Sequence, residues 1–421
     1  CQGFGLMQQV AARVARREWL ILLGFIPLLM FAARTGGLPL LLFPTFAVVR
    51  RVANGRFFPQ TPFNLPLLFI LLMTLVSLLI TFDVATSLPL VSRVVVGMGL
   101  FWGCVSGIQQ RETAVWWVAS AVLLLGGGLA TVGVLTLNWA SLFGPMATVV
   151  GLLPASLLNG LQQLVGETNP NILAQTLLLF APLLLGGCIG LVMMSKDELK
   201  RPSFWLQLLL CLGSVIVIGL IFLTRSRGGL LGIGVALMVM LAVATRWGRW
   251  LLGTAVFVLP TAVLAYEPAR TFLLSSSSAD FNLTSRLEIW SRALFAMADF
   301  PLTGLSLNGF SQVVHLLYPL FTISPASQVA HAHNHLLQAG LDFGLLGLIA
   351  YLAIWLLVAL LLRQAWQDEK NGRFRPLILG LIGAQTAVWT FGIFDAAPWI
   401  ALPGFLWWLL LALVTSITRK P

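Results

Sequence analysis

The chain has 421 residues, of which 58% are hydrophobic and only 9% charged, and its mean hydropathy is +0.94. Soluble domains carry roughly 25% charged residues, so this composition excludes a single water-soluble core and points to an integral membrane protein. The formal charge of +11 does not indicate nucleic acid, because the basic residues fall in short clusters between apolar runs, a pattern of topology control.

The four cysteines have no metal-site spacing. Cys104, Cys188 and Cys211 lie in apolar runs and read as buried, inert thiols. No cleavable signal peptide is visible, and Cys1 as first residue suggests a processed or trimmed start.

Charge clusters and polar breaks divide the chain into about twelve apolar segments, near 19–33, 38–49, 65–82, 94–108, 114–135, 172–194, 203–223, 229–245, 250–266, 336–362, 376–394 and 399–416. Pro39 and Pro44 make the second the weakest span. With the N-terminus in the cytoplasm, alternate loops collect Arg13, Arg16 and Arg17, then Arg50, Arg51 and Arg56, Arg111, Lys196, Lys200 and Arg201, Arg246 and Arg249, Arg363, Lys370, Arg373 and Arg375, and Arg419 and Lys420. That is 18 of 25 basic residues on the inner side, as the positive-inside rule requires. Both termini are therefore expected in the cytoplasm.

The expected organisation is all-α: nine spans within 1–266, an outer loop over 267–335 with short amphipathic helices, and three spans within 336–421. A second outer stretch, 136–171, is mostly apolar. It contains Trp139, Pro154, Glu167 and Asn169, and suggests a re-entrant or interfacial piece. In the longer loop, which carries Ser275–Ser278, Ser285-Arg286-Leu287-Glu288 fits a capping box. Ile289, Trp290, Ala293, Leu294 and Met297 follow at helical spacing up to Pro301. Arg286 should then sit in the first turn of an amphipathic helix on the outer surface, near free backbone N–H groups that attract an anion.

The chemistry concentrates in His331–Gly347, which holds three of the four histidines at the mouth of an apolar run. Three readings remain open. His331 and His335, four apart, are conceivable metal ligands, although no carboxylate or cysteine accompanies them. The histidines could instead cap a helix structurally. The third reading is a general base, since an imidazole with pKa about 6.5 takes a proton from a sugar hydroxyl near neutral pH. Asn334 suits an N-cap for the helix that follows.

A second cationic point is Thr224-Arg225-Ser226-Arg227-Gly228-Gly229, on the same expected face. Arginines there either snorkel to headgroups, Arg225 more readily, or bind phosphate, with Gly228 and Gly229 allowing close approach of backbone to a ligand. The outer acids Glu167, Glu267, Asp280, Glu288, Asp299 and Asp395 are scattered, and no Asp-x-Asp pair supports a metal-chelated nucleotide sugar. Arginine can neutralise a leaving diphosphate in place of a metal.

These residues resemble the O-antigen ligase and polymerase superfamily of bacterial envelope glycan transferases. His333-Asn334, nine residues and then Gly344-Leu-Leu-Gly347 fit the ligase pattern. Ser226-Arg227-Gly228-Gly229 resembles its Ser-Arg-Gly turn. Arg286 through Phe310, with Trp290, Pro301, Gly304 and Gly309, resembles its outer-loop signature.

The resemblance implies a GT-C-like bundle of about twelve transmembrane helices in the bacterial inner membrane, with a large periplasmic loop between spans nine and ten. It implies transfer of a glycan from undecaprenyl diphosphate to lipid A-core or another glycolipid, with no metal or other cofactor. His333 would be the base, and Arg227 and Arg286, with Arg225, would hold the diphosphate. Asn334, Gly344 and Gly347 would support the site, while the roles of His331 and His335 stay open. A polymerase of the same superfamily is the alternative. A small-anion transporter, of a different class, would place ionisable groups deep within spans, and these spans read as almost free of them.

Overall fold

The computed structural model describes residues 2–30, 38–111, 113–193, 204–268, 271, 283–368, 373–395 and 397–417. Cys1, Lys196, Lys200, Arg201, Ser275–Ser278, Asp280, Lys370, Arg419 and Lys420 lie outside the described residues. The described elements are helical, apart from one isolated bridge between Leu137 and Thr168.

In chain order the α-helices are α1 (Gln2–Met30), α2 (Leu38–Asn54), α3 (Asn64–Ile80), α4 (Val84–Gln110), α5 (Ala114–Thr136), α6 (Gly144–Gly151), α7 (Ala155–Val165) and α8 (Pro170–Met193). They continue as α9 (Phe204–Leu223), α10 (Arg227–Ala244), α11 (Arg246–Ala265), α12 (Leu283–Asp299), α13 (Gly309–Leu317), α14 (His335–Asp368), α15 (Arg375–Gly392) and α16 (Gly404–Ile417).

The protein is an all-α integral membrane protein. Among the described residues each expected apolar segment lies on its own helix, but only seven of these helices, α4, α5, α8, α9, α10, α11 and α14, are long and apolar enough to cross a membrane. The apolar helices α3 and α16 are shorter. At about 1.5 Å per residue they reach less than the roughly 30 Å of a hydrocarbon core. Leu79 and Trp247 are each 85% exposed and Phe257 77%, which suits a lipid-facing surface.

Two local findings amend the sequence reading, and a third agrees with it. Helix α2 runs on through Pro44. Helix α4 starts ten residues before the apolar run at 94, because the Asp83 carboxylate accepts from Ala85 N at 2.9 Å and caps it. Arg93 thereby falls inside a span. The stretch after α5 forms α6 and α7, bent by 110° at a short break, a broken span or re-entrant loop. Thr136 and Thr168 bond through their hydroxyls at 2.7 Å, so this excursion returns to its start.

The chain divides into two compact units. In the unit of residues 123–285 and 362–394, α15 packs against α8 and α10. A Cβ on Gly186 would lie 2.4 Å from Gly380 N: small residues let the backbones touch, the usual device where lipid supplies no hydrophobic drive between helices. Cys188 on α8 and Cys211 on α9 form a disulfide, with Cα atoms 5.6 Å apart. The expectation of inert thiols holds for Cys104 and fails for this pair, which antiparallel packing of consecutive helices brings together.

In the unit of residues 1–122, 286–361 and 395–421, α16 is buried on all faces from Gly404 to Thr415, as a helix apolar all round should be. It packs on α4, where a Cβ on Gly97 would overlap the Trp408 indole. Tyr351, Trp355, Trp399 and Trp407 form an aromatic cluster, in which Tyr351 meets Trp355 and Trp399 edge-to-face while Trp407 is tilted against Tyr351 and Trp355.

Candidate active site

Helix α14 begins where Asn334 caps it. The Asn334 Oδ1 accepts from Leu336 N at 2.9 Å and Leu337 N at 3.1 Å, satisfying two of the orphan donors. Just before the cap, His333 has φ 49°. This left-handed conformation is rare outside glycine and costs on the order of 1–3 kcal/mol.

Two sets of contacts hold the turn. The His333 carbonyl accepts from Trp290 Nε1 of α12 at 3.3 Å. Ala332 N, completely buried, donates to Gln338 Oε1 at 2.8 Å. The Gln338 Nε2 donates to Asp342 Oδ1 at 2.7 Å, and Trp399 Nε1 donates to Asp342 Oδ2 at 2.8 Å. Spacing of i, i+4 on α14 aligns Gln338 with Asp342, one turn apart. Asp342 thus anchors the glutamine that anchors the histidine turn.

The three histidines have different surroundings. His335 is fully buried, its Nδ1 2.8 Å from the Tyr351 hydroxyl and its ring edge-on to Tyr351 and Trp355. It belongs to the aromatic cluster, so the i, i+4 metal pair with His331 is not formed. His331 and His333 lie ring to ring, centroids 4.1 Å apart. The His333 backbone N–H donates to His331 Nδ1 at 3.1 Å. A nitrogen that accepts carries no proton, so neutral His331 is protonated on Nε2, and that nitrogen is 3.9 Å from Asp395 Oδ1.

A carboxylate therefore does accompany the histidines, contrary to the sequence reading. It comes from a segment 62 positions beyond His333 in the numbering, and spacing gives no sign of it. His331, His333 and Asp395 present ligand atoms within 4.8 Å of one another, a donor set that suits a divalent cation as well as a proton relay.

Burial and the neighbouring Arg286 guanidinium push His331 down to about 4. Burial, then His331 and Arg286, hold His333 well below the usual imidazole value. Both rings are thus neutral at physiological pH, which is the form a base or a ligand needs.

Arg286 lies in the first turn of α12, as expected, but not through a capping box. Leu283 and Thr284 are already helical, so Ser285 lies within the helix and is not its cap. Glu288 reaches across to the loop at 321–322 and accepts from Phe321 N at 2.6 Å and Thr322 N at 2.8 Å. Two free donors from a distant segment outcompete a local one. Ile289, Ala293 and Ala296 of α12 are fully buried, while Leu287, Leu294 and Phe295 are exposed, the two-faced pattern of a helix at an apolar boundary.

Gly344 shows why the motif needs glycine. Its φ is 65°, which breaks α14, and a Cβ there would stand 2.4 Å from the Leu302 carbonyl oxygen. The break releases backbone groups that the chain after α12 takes up: Leu345 N donates to Pro301 O at 2.8 Å, and Leu305 N to Leu341 O at 2.6 Å. Gly304, also at positive φ, would place its own Cβ 2.4 Å from Leu341 O. At Gly347 a Cβ would collide with the Phe343 side chain. The two signatures, Pro301–Gly304 and Gly344–Gly347, are halves of one joint that seats α12 on α14.

In the other unit, Ser226 caps α10. Its Oγ accepts from Gly229 N at 3.1 Å and donates to Asn171 Oδ1 at 2.6 Å. Arg227 is the first residue of the helix, and Arg225, at φ 54°, is exposed. Gly228 and Gly229 serve helix packing: Cβ atoms would lie 3.2 Å from Phe391 and 2.8 Å from Ala174. They are filled by neighbouring helices, so they do not leave room for a ligand as the sequence reading supposed.

The spans are not free of ionisable groups. Asp342 lies in α14 and is fully buried, and Arg93 in α4 donates to Ile400 O. Glu18 and Arg50, both buried, form an ion pair. Each has at least one local partner, so together they form a set of ties within one unit with no file of sites among the described residues.

Residues 212–352 match the family model described as O-antigen ligase. The Ser226–Gly229 turn, the Arg286–Phe310 stretch and the His333–Gly347 motif all lie inside that match. Over that segment the chain is similar to the O-antigen ligase family. It is a multi-pass membrane protein, and its matched segment is similar to a family of glycosyl transfer. No curated protein matches the chain.

Proposed function

We propose that the chain is a lipid-linked polysaccharide ligase. It moves a glycan from undecaprenyl diphosphate to a sugar hydroxyl of lipid A-core, on the periplasmic side of the bacterial inner membrane. In this reading the bundle is GT-C-like, both termini are cytoplasmic, residues 267–335 form the periplasmic loop between nine preceding and three following spans, and no metal takes part.

His333 accepts the proton of the acceptor hydroxyl as that oxygen attacks the anomeric carbon. The bond from that carbon to the phosphate oxygen breaks, and its electron pair leaves with undecaprenyl diphosphate. Arg286 neutralises the departing charge, and Arg225 and Arg227 take the same role from the superfamily resemblance. Burial chiefly holds both imidazoles neutral and the Arg286 charge adds to it; an arriving diphosphate offsets that added charge, so donor binding raises the basicity of His333 when a base is needed.

The observation that carries the reading is the neutral His333, held at positive φ beside Arg286 inside the matched segment. The test uses protein in lipid vesicles with an undecaprenyl-diphosphate glycan, with and without lipid A-core. Glycan appearing on lipid A-core supports the ligase. A ladder growing on the undecaprenyl carrier without acceptor would make the protein a polymerase. Solute flux that needs Arg227, with no transfer in either vessel, would move it to a transporter.

A further inference from the structure

The ends of α4 are chemically different places. At its start, Ser87 Oγ donates to Leu307 O at 2.7 Å and Gln312 donates to the Thr86 hydroxyl at 2.6 Å, so the loop after α12 sits there. The helix then runs 27 residues, about 40 Å at 1.5 Å per residue. At its far end Ser106, Gln109 and Gln110 line a cavity of 590 Å³ that α1 and α2 close with Arg16, Arg50 and Asn54, and the 56–60 segment with Arg56 and Gln60. Its volume is that of a small-molecule site, roughly 300–1,000 Å³. It lies at the opposite end of the unit from the histidine turn.

The lining holds three arginines and several amides but no carboxylate. Arg50 is only 2% exposed. Its Nε donates to Phe57 O at 2.8 Å and its Nη1 pairs with Glu18, which lies behind the wall. Its Nη2 is buried without a hydrogen-bond partner among the described residues. Arg16 and Arg56 are exposed, and the described residues supply neither with an ion pair. Arg50 and Glu18 cancel, leaving the cavity with two uncompensated cations and a buried guanidinium N–H lacking an acceptor.

Topology control accounts for exposed arginines in short loops. It does not account for a buried arginine in the wall of a cavity, where an unmet charged donor is costly. A phosphate oxyanion meets all these features at once: it accepts from guanidinium forks and amides, and it neutralises two charges.

We propose that this cavity binds a phosphate group at the membrane face opposite the histidine turn, carried either by an anionic phospholipid or by a soluble phosphoester. The bound phosphate ties α1, α2 and α4 together.

The test is local, because the arginines of the candidate active site attract the same probes. Delipidated full-length protein in neutral detergent is titrated with inorganic pyrophosphate or with dihexanoyl phosphatidylglycerol, using dihexanoyl phosphatidylcholine as the zwitterionic control. Hydrogen exchange is followed in the 55–60 backbone. The expected result is saturable protection of at least fivefold by one of the two anionic probes. Protection by pyrophosphate means that the phosphate group suffices, and protection by phosphatidylglycerol alone means that the phosphate is lipid-borne.

Arg16→Gln with Arg56→Gln should weaken the apparent affinity at least tenfold. Arg13→Gln with Arg17→Gln, the same charge loss outside the lining, should change it less than twofold. No protection by either anion, equal protection by phosphatidylcholine, or equal losses in the two variants would overturn the proposal.

Discussion

Gln338→Leu should slow glycan transfer without touching substrate. The glutamine is 3% exposed and joins two fully buried groups, Ala332 N and the Asp342 carboxylate. Leucine keeps the volume and removes both bonds. Each orphaned group costs about 1–3 kcal/mol, and the turn beside it already holds His333 at φ 49°, a strain of similar size. Relaxation of the turn to an extended conformation relieves both. At 1.4 kcal/mol per factor of ten, the productive turn should lose about tenfold or more in population.

The assay is transfer in vesicles under single-turnover conditions, with kcat and KM separated and the temperature kept well below each variant's Tm. We expect kcat to fall by about that factor while the KM for donor changes little, because the arginines are untouched. Trp290 and the Asn334 cap would remain to hold part of the geometry, so activity should not vanish. A kcat within twofold of the parent, at comparable Tm, would refute the idea that this chain of bonds positions His333.

Other outcomes follow from the same geometry. Because His333 sits well below the usual imidazole value, the acid limb of kcat/KM should fall below pH 6.5; a limb centred at 6.5 in a rate–pH profile would contradict the buried, Arg286-flanked site. His331, lowered from 6.5 to about 4, makes the folded state bind fewer protons than the unfolded one between those values. Stability should therefore decline as pH falls through that window, by up to roughly 3 kcal/mol, and His331→Asn should flatten the dependence of Tm on pH. Gly344→Ala forces a Cβ to 2.4 Å from Leu302 O at φ 65°, so it should lower Tm and activity together, more than Gly347→Ala, whose clash is with a side chain. Dialysis against a chelator should leave transfer unchanged; loss restored by a divalent cation would assign His331, His333 and Asp395 to a metal instead.

Much of this was legible in the chain because local pattern decides it. Among the described residues every apolar segment lies on a helix, and Asn334 caps α14 because its side chain needs donors only two and three residues on. The rest depends on partners far away in sequence. Glu288 bonds to residues 321–322 in place of its own helix end, Asp342 meets Trp399 and His331 meets Asp395. No periodicity signals those encounters. Arg93 and the capped start of α4 were hidden by a polar stretch that a hydropathy reading breaks at.

The two glycine signatures were visible as residues, but their purpose was not. Only the joint between Pro301–Leu305 and Leu341–Leu345 explains why a membrane helix tolerates a break there. Gly228 and Gly229 looked the same in sequence and turned out to admit helices.

The claim on which the account turns is that His333 removes the acceptor proton. The most direct measurement compares His333→Ala with the parent in vesicles holding labelled undecaprenyl-diphosphate glycan and lipid A-core, following donor binding and single-turnover transfer in the same samples. The account predicts donor binding within a few-fold of the parent and transfer reduced by about 10²–10⁴, the usual contribution of a general base. Transfer within tenfold of the parent, with binding intact, would contradict it and leave His333 as part of the turn that seats α14.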